Sequence, residues 1–149
     1  MSARLITKNA DAIKPGEEKG LRLVLEALIS CGVAMSIAGS SKPCSGSEHL
    51  FSHSLDVVES NGGLHGEQCG VGTILMAYLY KIDWRGIKDT LQKAGAPTTA
   101  EDLGVESESI VKALVKACTL RPERYTILHK KTLDYDSAKK LARVTGVIP

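Results

Sequence analysis

The sequence predicts an all-α protein, and three observations support this fold class. Apolar residues recur with helical spacing in nearly every long segment. The sequence shows no alternation of strand and helix patterns of the kind that builds a parallel sheet. It also contains no internal repeat and no evident interior linker. We therefore expect residues 1–149 to form one domain, a helical bundle of seven or eight helices.

Four helices are predicted in the first half of the chain. The first lies near residues 3–14, and the second carries an apolar stripe over residues 21–37. After a loop at residues 39–43, a third helix should begin at a cap formed by Ser45 or Ser47 and run to about residue 60. Asn61, Gly62 and Gly63 break it.

The fourth helix, at residues 64–81, is strongly apolar and unusually rich in glycine. Gly66, Gly70 and Gly72 lie in its first turns. Glycine weakens an exposed helix, so this clustering predicts close approach of another backbone or of a ligand. The Gly70-x-Gly72 pair is not a nucleotide-binding fingerprint, because no strand precedes it and the third glycine is missing.

The second half should contain further, shorter helices. Asp83 opens one that ends near Ala94, and Thr98 or Thr99 should cap the next. Helices are also expected at residues 107–118, 121–126 and 136–146. One weak strand candidate remains, at residues 125–129.

Composition disfavours several functional classes. The net charge of +2 and the lack of a dense basic run argue against nucleic-acid binding. No membrane span is expected, because the apolar stretch at residues 21–38 contains Arg22, Glu26 and Ser30. The N-terminus lacks the apolar core of a signal peptide. The four cysteines are scattered, as expected for buried free thiols, and these features together predict a cytoplasmic protein.

Three of the four histidines, His49, His53 and His65, lie within one short stretch of chain. His49 and His53 are four residues apart and share a helix face, and the glycine turn could return His65 toward them. Imidazole is the commonest metal ligand in proteins, so the cluster indicates a metal site. Histidines that serve only as hydrogen-bonded core residues are the alternative. The His-x-x-x-His spacing occurs in zinc proteases, but Leu50 replaces their glutamate, which disfavours peptide hydrolysis.

The fourth histidine, His129, is flanked by Lys130 and Lys131. We therefore expect it to be a solvated surface residue with no part in the site.

Several strings resemble one enzyme family. They are Ile-Ala-Gly-Ser-Ser-Lys-Pro at residues 37–43, Gly-Ser-Glu-His-Leu-Phe-Ser-His at residues 46–53, and Leu-His-Gly-Glu-Gln at residues 64–68 followed by Gly-Val-Gly-Thr at residues 70–73. The tail, at residues 121–128 and 138–148, agrees as well. Together they resemble the archaeal-type sn-glycerol-1-phosphate dehydrogenases, of the iron-containing alcohol dehydrogenase and dehydroquinate synthase-like superfamily. The resemblance covers essentially the whole chain and implies the helical C-terminal domain of that fold.

The resemblance implies roles for the three histidines. His49 and His65 match the superfamily's zinc ligands, and His53 matches a catalytic residue beside the substrate. The implied reaction is reduction of dihydroxyacetone phosphate to sn-glycerol 1-phosphate by NADH or NADPH, with zinc as the Lewis acid. This reaction supplies the backbone of archaeal ether phospholipids, and a homo-oligomer is implied as well.

Two parts of the family enzyme are not found in this sequence. They are the N-terminal dinucleotide-binding domain, which binds most of the NAD(P)H, and a metal-binding aspartate. We therefore expect this chain, corresponding to about the last two-fifths of the enzyme, to be inactive alone. Asp56 lies seven residues after His49 and is expected only in the shell around the ligands.

Two other functions stay open at this point. The first is a helical structural or interaction domain that binds no metal. The second is a related superfamily reaction, such as glycerol oxidation or phosphate elimination from a sugar acid. The Ser40–Pro43 segment favours the phosphate-handling enzyme.

Overall fold

The computed structural model describes residues 2–14 and 16–149, and within these ranges the protein is all-α, as the sequence predicts. It contains eight α-helices and two short 3-10 helices, with no strand in the described part. The α-helices are α1 (Ser2–Lys8), α2 (Glu18–Ala38), α3 (Ser47–Val58), α4 (His65–Tyr80), α5 (Trp84–Lys93), α6 (Ser107–Lys116), α7 (Ile127–Lys130) and α8 (Tyr135–Val144). The 3-10 helices are Ala10–Ala12 and Ala117–Thr119.

The core lies between α3, α4 and α6, with α5 and α8 packed outside them. Its central side chains are fully buried and come mainly from these three helices. They include Leu50, Phe51, Leu55, Ile74, Leu75, Ile110 and Leu114. Because the two histidine-bearing helices, α3 and α4, pack directly against each other, the core fixes the spacing of their histidines.

The predicted stripe of α2 forms a helix, but most of the stripe is exposed. Only Gly20 and Ala27 are buried on this helix, whereas Ile29 is 67% exposed and Ile37 is 83% exposed. By length and apolarity alone α2 could cross a membrane, with a mean hydropathy of 1.8. One such helix is a weak indication, since core helices of soluble proteins pass the same test. The absence of a membrane span therefore stays a prediction.

Several local predictions need correction. Residues 3–14 form α1 and a 3-10 helix rather than one helix, and Pro15 lies outside the described residues. Neither Ser45 nor Ser47 caps α3: its N-cap is Gly46, whose N–H donates to the Glu48 carboxylate at 2.6 Å. Residues 99–104 form turns instead of a capped helix, and residues 121–126 are not helical.

The strand candidate at residues 125–129 is also wrong. Thr126 caps α7, and its N–H donates to His129 Nδ1 at 3.2 Å, which fixes a helical turn. His129 is consequently half-buried rather than solvated. Its Nε2 has no hydrogen-bond partner among the described residues. The hydrogen bond to the N-cap residue therefore prevails over the β propensity of Tyr125 and Ile127.

Candidate functional site

The structure brings His49, His53 and His65 together at the α3–α4 contact. The ring centroids of His49 and His65 are 5.1 Å apart in an edge-on arrangement, and those of His53 and His65 are 5.4 Å apart and stacked. His49 and His53 are half-buried, whereas His65 is exposed. The cluster is therefore open to solvent on the side of His65.

The turn between α3 and α4 returns His65 to α3, as the sequence predicts. Gly63 adopts a left-handed conformation with φ of 77°, which an L side chain would strain. His65 is the first residue of α4, and the Glu67 carboxylate accepts the Leu64 N–H at 2.8 Å. The start of α4 is thereby fixed beside the middle of α3.

Of the three glycines in α4, only Gly72 makes the predicted close approach to another backbone. A Cβ at Gly72 would lie 3.0 Å from Phe51 Cδ1 and 3.1 Å from the Glu48 carbonyl oxygen. A Cβ at Gly70 would meet Leu91 at an ordinary 3.6 Å, and none of the described atoms lies within 4 Å of one at Gly66. Gly72 therefore allows the first turn of α3 to approach α4.

The tautomer of His65 is fixed by a chain of hydrogen bonds. Gln68 Nε2 donates to Asp56 Oδ1 at 2.8 Å and to the Gly62 carbonyl at 3.1 Å, so Gln68 Oε1 must be an acceptor. Ser52 donates its single hydroxyl proton to that oxygen. His65 Nδ1, 2.8 Å from Ser52 Oγ, must then be the donor in its own hydrogen bond. The lone pair of a neutral His65 is therefore on Nε2.

His49 is oriented in a similar way by its neighbour. Its Nδ1 lies 2.9 Å from Glu48 Oε1, which can only accept when ionised. The lone pair of a neutral His49 is consequently also on Nε2. Histidines that bind metals usually donate their other ring N–H to such a partner, which sets the ring orientation and raises the basicity of the metal-binding nitrogen.

Two groups of side chains have ligand atoms close enough to hold a metal ion. His49, His65 and Cys69 form one group, and His53, Asp56 and His65 form the other, with all ligand atoms of a group within 4.8 Å of one another. Imidazole nitrogen, thiolate and carboxylate are the donors that zinc takes in proteins, so the residues present fit a zinc ion.

The titratable groups of the cluster are shifted by their surroundings. Burial, then the positive charge of Arg121, then His65 and His49 lower the pKa of His53, which favours its neutral form. Burial raises the pKa of the Cys69 thiol to about 11. Among the described residues, the four cysteines are free and half-buried rather than buried as predicted.

Sequence reasoning missed three residues of this neighbourhood: Ser52, Gln68 and Cys69. Cys69 lies four residues after His65, and its Sγ is 3.6 Å from His65 Nε2, so helical spacing could have indicated it. Asp56 lies at the far end of the hydrogen-bond chain from His65 and also belongs to the second group of possible ligands, so its place in the shell around the ligands stays a prediction. The buried pair Ser52 and Gln68 had no comparable signal in the sequence.

Comparison with known proteins agrees with the motifs. The chain is 58% identical over 148 residues to "Glycerol-1-phosphate dehydrogenase [NAD(P)+]" of Pyrococcus furiosus. It is 57% identical over 148 residues to the proteins of the same name from Methanobrevibacter smithii and Methanosarcina mazei. The chain matches the C-terminal part of archaeal glycerol-1-phosphate dehydrogenases.

The resemblance predicted from the motifs is thus confirmed, with 99% of this chain aligned. The chain spans 43% of the Pyrococcus furiosus protein, 42% of the Methanobrevibacter protein and 41% of the Methanosarcina protein. No family model matches the chain. The all-α fold is consistent with the helical domain that the resemblance implies.

Proposed function

We propose that this chain is the metal- and substrate-binding part of an NAD(P)-dependent sn-glycerol-1-phosphate dehydrogenase. The reaction would be reduction of dihydroxyacetone phosphate to sn-glycerol 1-phosphate, for the backbone of ether lipids. The observation that carries this proposal is the convergence of His49, His53 and His65 at one helix contact, in a chain similar to enzymes of that name.

In this proposal His49 and His65 hold a zinc ion through their Nε2 atoms. Glu48 and Ser52 form hydrogen bonds with the Nδ1 atoms of the two rings, so both Nε2 atoms have a lone pair available for a metal. Zinc, when bound, would supply Lewis-acid polarisation of a carbonyl group. The core packing of α3 against α4 would keep the two rings at a fixed spacing.

His53 would bind the substrate rather than the metal. Its ring stacks on that of His65, so a molecule beside the metal ligands would also lie beside His53. Since the pKa of His53 is lowered, mainly by burial, its ring is neutral at neutral pH and can donate one N–H to a substrate oxygen. This hydrogen bond would orient the carbonyl group for hydride transfer.

Basic side chains near the cluster support a phosphorylated substrate. Arg121 lies close enough to His53 for its charge to lower the pKa of that ring. Arg124 donates to Ser41 Oγ and Ser45 Oγ, both at 3.0 Å, and so holds a second basic side chain against the loop that precedes α3. Arginine suits phosphate because its N–H groups bind two oxygens at once.

The remaining parts of the reaction lie outside this chain in our proposal. A dinucleotide-binding domain, as the resemblance implies, would hold the NAD(P)H, and the chain alone would not turn over substrate. The complete enzyme would be a cytoplasmic homo-oligomer.

Metal analysis of three variants tests the roles of the histidines. After dialysis of the zinc-loaded protein, His49→Ala and His65→Ala should have lost most of their zinc, whereas His53→Ala should keep it. Binding of dihydroxyacetone phosphate to zinc-loaded His53→Ala should weaken by up to about tenfold, as for the loss of one neutral hydrogen bond of about 1 kcal/mol. His129→Ala, outside the cluster, is the control. Equal zinc loss in all three cluster variants would contradict the role of His53.

A further inference from the structure

The second helix leaves an apolar face uncovered. Six large apolar side chains of α2 are between 49% and 83% exposed, and we call them the α2 face: Leu21, Leu25, Leu28, Ile29, Val33 and Ile37. We propose that the α2 face binds the segment that, in the longer dehydrogenases, immediately precedes the part matched by this chain. This inference rests on the chain being part of such an enzyme, as in the proposed function.

Little of the described structure packs against α2. Among the described helices, α1 alone packs extensively along it, and no residue of α1 is itself buried. The buried residues of α2 are limited to Gly20 and Ala27. Monomeric soluble proteins rarely expose a large contiguous apolar patch, and such patches mark interaction sites. The α2 face therefore has the character of an interface.

The spacing of the α2 face suits a helical partner. Its residues 21, 25, 29, 33 and 37 follow one another at intervals of four and form one continuous ridge. Ridges of this kind fit the grooves of a second helix in the commonest class of helix packing. Since a helix rises 1.5 Å per residue, the ridge is about 24 Å long, which is enough to contact a partner helix over several turns.

A glycine within the α2 face provides a second, independent indication. Gly32 lies four residues after Leu28 and shares its side of the helix. Glycine inside an exposed helix costs stability relative to alanine. Apart from its neighbours in α2, no described atom lies within 4 Å of a Cβ placed at Gly32. A partner helix that crosses α2 here would use this space for close approach.

The position of α1 identifies the occupant. The match to the Pyrococcus furiosus enzyme covers 99% of this chain but 43% of that protein, and it lies in the C-terminal part. The preceding polypeptide of that enzyme therefore enters the matched fold at the residues of α1, which packs along α2. A Cβ at Gly20 would collide with the Ala12 carbonyl oxygen, so the segment after α1 is also packed directly on the start of α2. The preceding segment thus begins beside the α2 face.

Charge disfavours a membrane surface as the occupant. Helices that lie in a membrane interface are rich in lysine and arginine on their polar face. The charged side chains of α2 are balanced, with two acidic and two basic residues: Glu18, Glu26, Lys19 and Arg22. Arg22 and Glu26 also pair with each other at 3.1 Å. A protein segment therefore fits the α2 face better than an anionic lipid surface does.

Hydrogen exchange tests this docking. The chain alone is compared with a chimera in which it replaces the matched C-terminal part of the Pyrococcus furiosus enzyme. The amides of α2 should exchange slower in the chimera by a factor of about 100 or more, because a docked helix opens less often than an exposed one. The amides of α6, which packs in the core, should change little and provide the internal reference. The complete Pyrococcus furiosus enzyme gives a second measurement, since its helix matching α2 should show the same protection relative to its helix matching α6.

Ile29→Lys places a charge within the α2 face. In the chain alone it should leave the unfolding transition unchanged, because Ile29 is exposed, whereas in the chimera it should remove the protection of α2. Val144→Lys is the matched control, since Val144 is also an exposed apolar residue but lies on α8, which packs on α6 rather than on α2. This control should preserve both the unfolding transition and the protection.

The outcomes separate this inference from the proposed function. Unprotected α2 in a folded and active chimera would overturn the inference and leave the proposed function standing. Protected α2 in a folded chimera without dehydrogenase activity would support the docking surface and contradict the proposed function. Protection that disappears when the chimera is diluted to monomers would assign the α2 face to a second copy and reject the inference. Binding to phosphatidylglycerol vesicles that Ile29→Lys abolishes would likewise reject it, in favour of lipid.

Discussion

Replacing Gly72 by alanine should separate α3 from α4 at the proposed metal site. The new Cβ would lie 3.0 Å from Phe51 Cδ1 and 3.1 Å from the Glu48 carbonyl oxygen. Both distances are shorter than an ordinary van der Waals contact, and one partner is backbone, so α3 must move by a few tenths of an ångström. The residue next to Glu48 is His49, which would move with it.

The expected loss of stability follows from two opposing effects. Overpacking a well-packed interior costs about 1–3 kcal/mol. Alanine gains about 0.5–1 kcal/mol over glycine inside a helix. The net change for Gly72→Ala is therefore a loss of about 0–2.5 kcal/mol in the free energy of unfolding, with a central value of about 1 kcal/mol.

Gly70→Ala provides the matched control on the same helix. Its Cβ would meet Leu91 at 3.6 Å, an ordinary contact, so only the gain in helix propensity applies. Urea unfolding followed by circular dichroism should show Gly70→Ala above the unmodified chain in stability and Gly72→Ala below it. Zinc affinity should also fall in Gly72→Ala alone. Equal stability of the two variants would refute the close-approach argument.

Two further predictions concern the rest of the fold. Lys88 is half-buried and donates to the carbonyls of Thr145 and Gly146 at the end of α8. Lys88→Met should therefore lower the free energy of unfolding, measured by urea titration, by about 1 kcal/mol. The control is Lys93→Met on the same helix, which should change it little because Lys93 is exposed. An unchanged Lys88→Met variant would show that these bonds do not stabilise α8. Asp102 accepts hydrogen bonds from the Thr98 and Thr99 backbone, which lower the pKa of its carboxyl below 3.8. Its stabilisation is present above the unfolded-state pKa and is lost as pH falls through the folded-state value. Asp102→Asn should therefore be less stable than the unmodified chain near pH 7, with the difference shrinking as the pH falls below the ordinary range of an aspartate carboxyl, and a difference independent of pH would contradict this.

The long helices could be predicted because their signals are local. The apolar spacing in α4, the glycine turn before it and Asp83 as the N-cap of α5 all lie within a few residues of the element they define. The helix prediction failed where a side chain forms hydrogen bonds within its own turn. Thr99 and Asp102 exchange hydrogen bonds as a helix start would, but Gly104 adopts a left-handed conformation with φ of 71° and ends the turn.

The candidate site likewise has a part that the sequence predicts and a part that it does not. The clustering of His49, His53 and His65 could be predicted, because helical spacing and one turn bring them together. The hydrogen bonds from Ser52 to Gln68 join residues 16 positions apart on two helices, and they depend on how α3 and α4 pack. The exposure of α2 could not be predicted either, because an apolar stripe does not show which surface, if any, packs against it.

The hydrogen bonds around Gln68 restrict which side chain can replace it, because the side chain must supply two N–H protons as well as the right volume. Glutamate has nearly the same shape, but it would place an oxygen against both the Asp56 carboxylate and the Gly62 carbonyl. The new carboxyl group or that of Asp56 would need an added proton, and one proton can satisfy only one of the two contacts that the amide N–H groups make. An amide at this position, through Ser52, therefore determines which nitrogen of the exposed His65 imidazole keeps its lone pair free for a ligand.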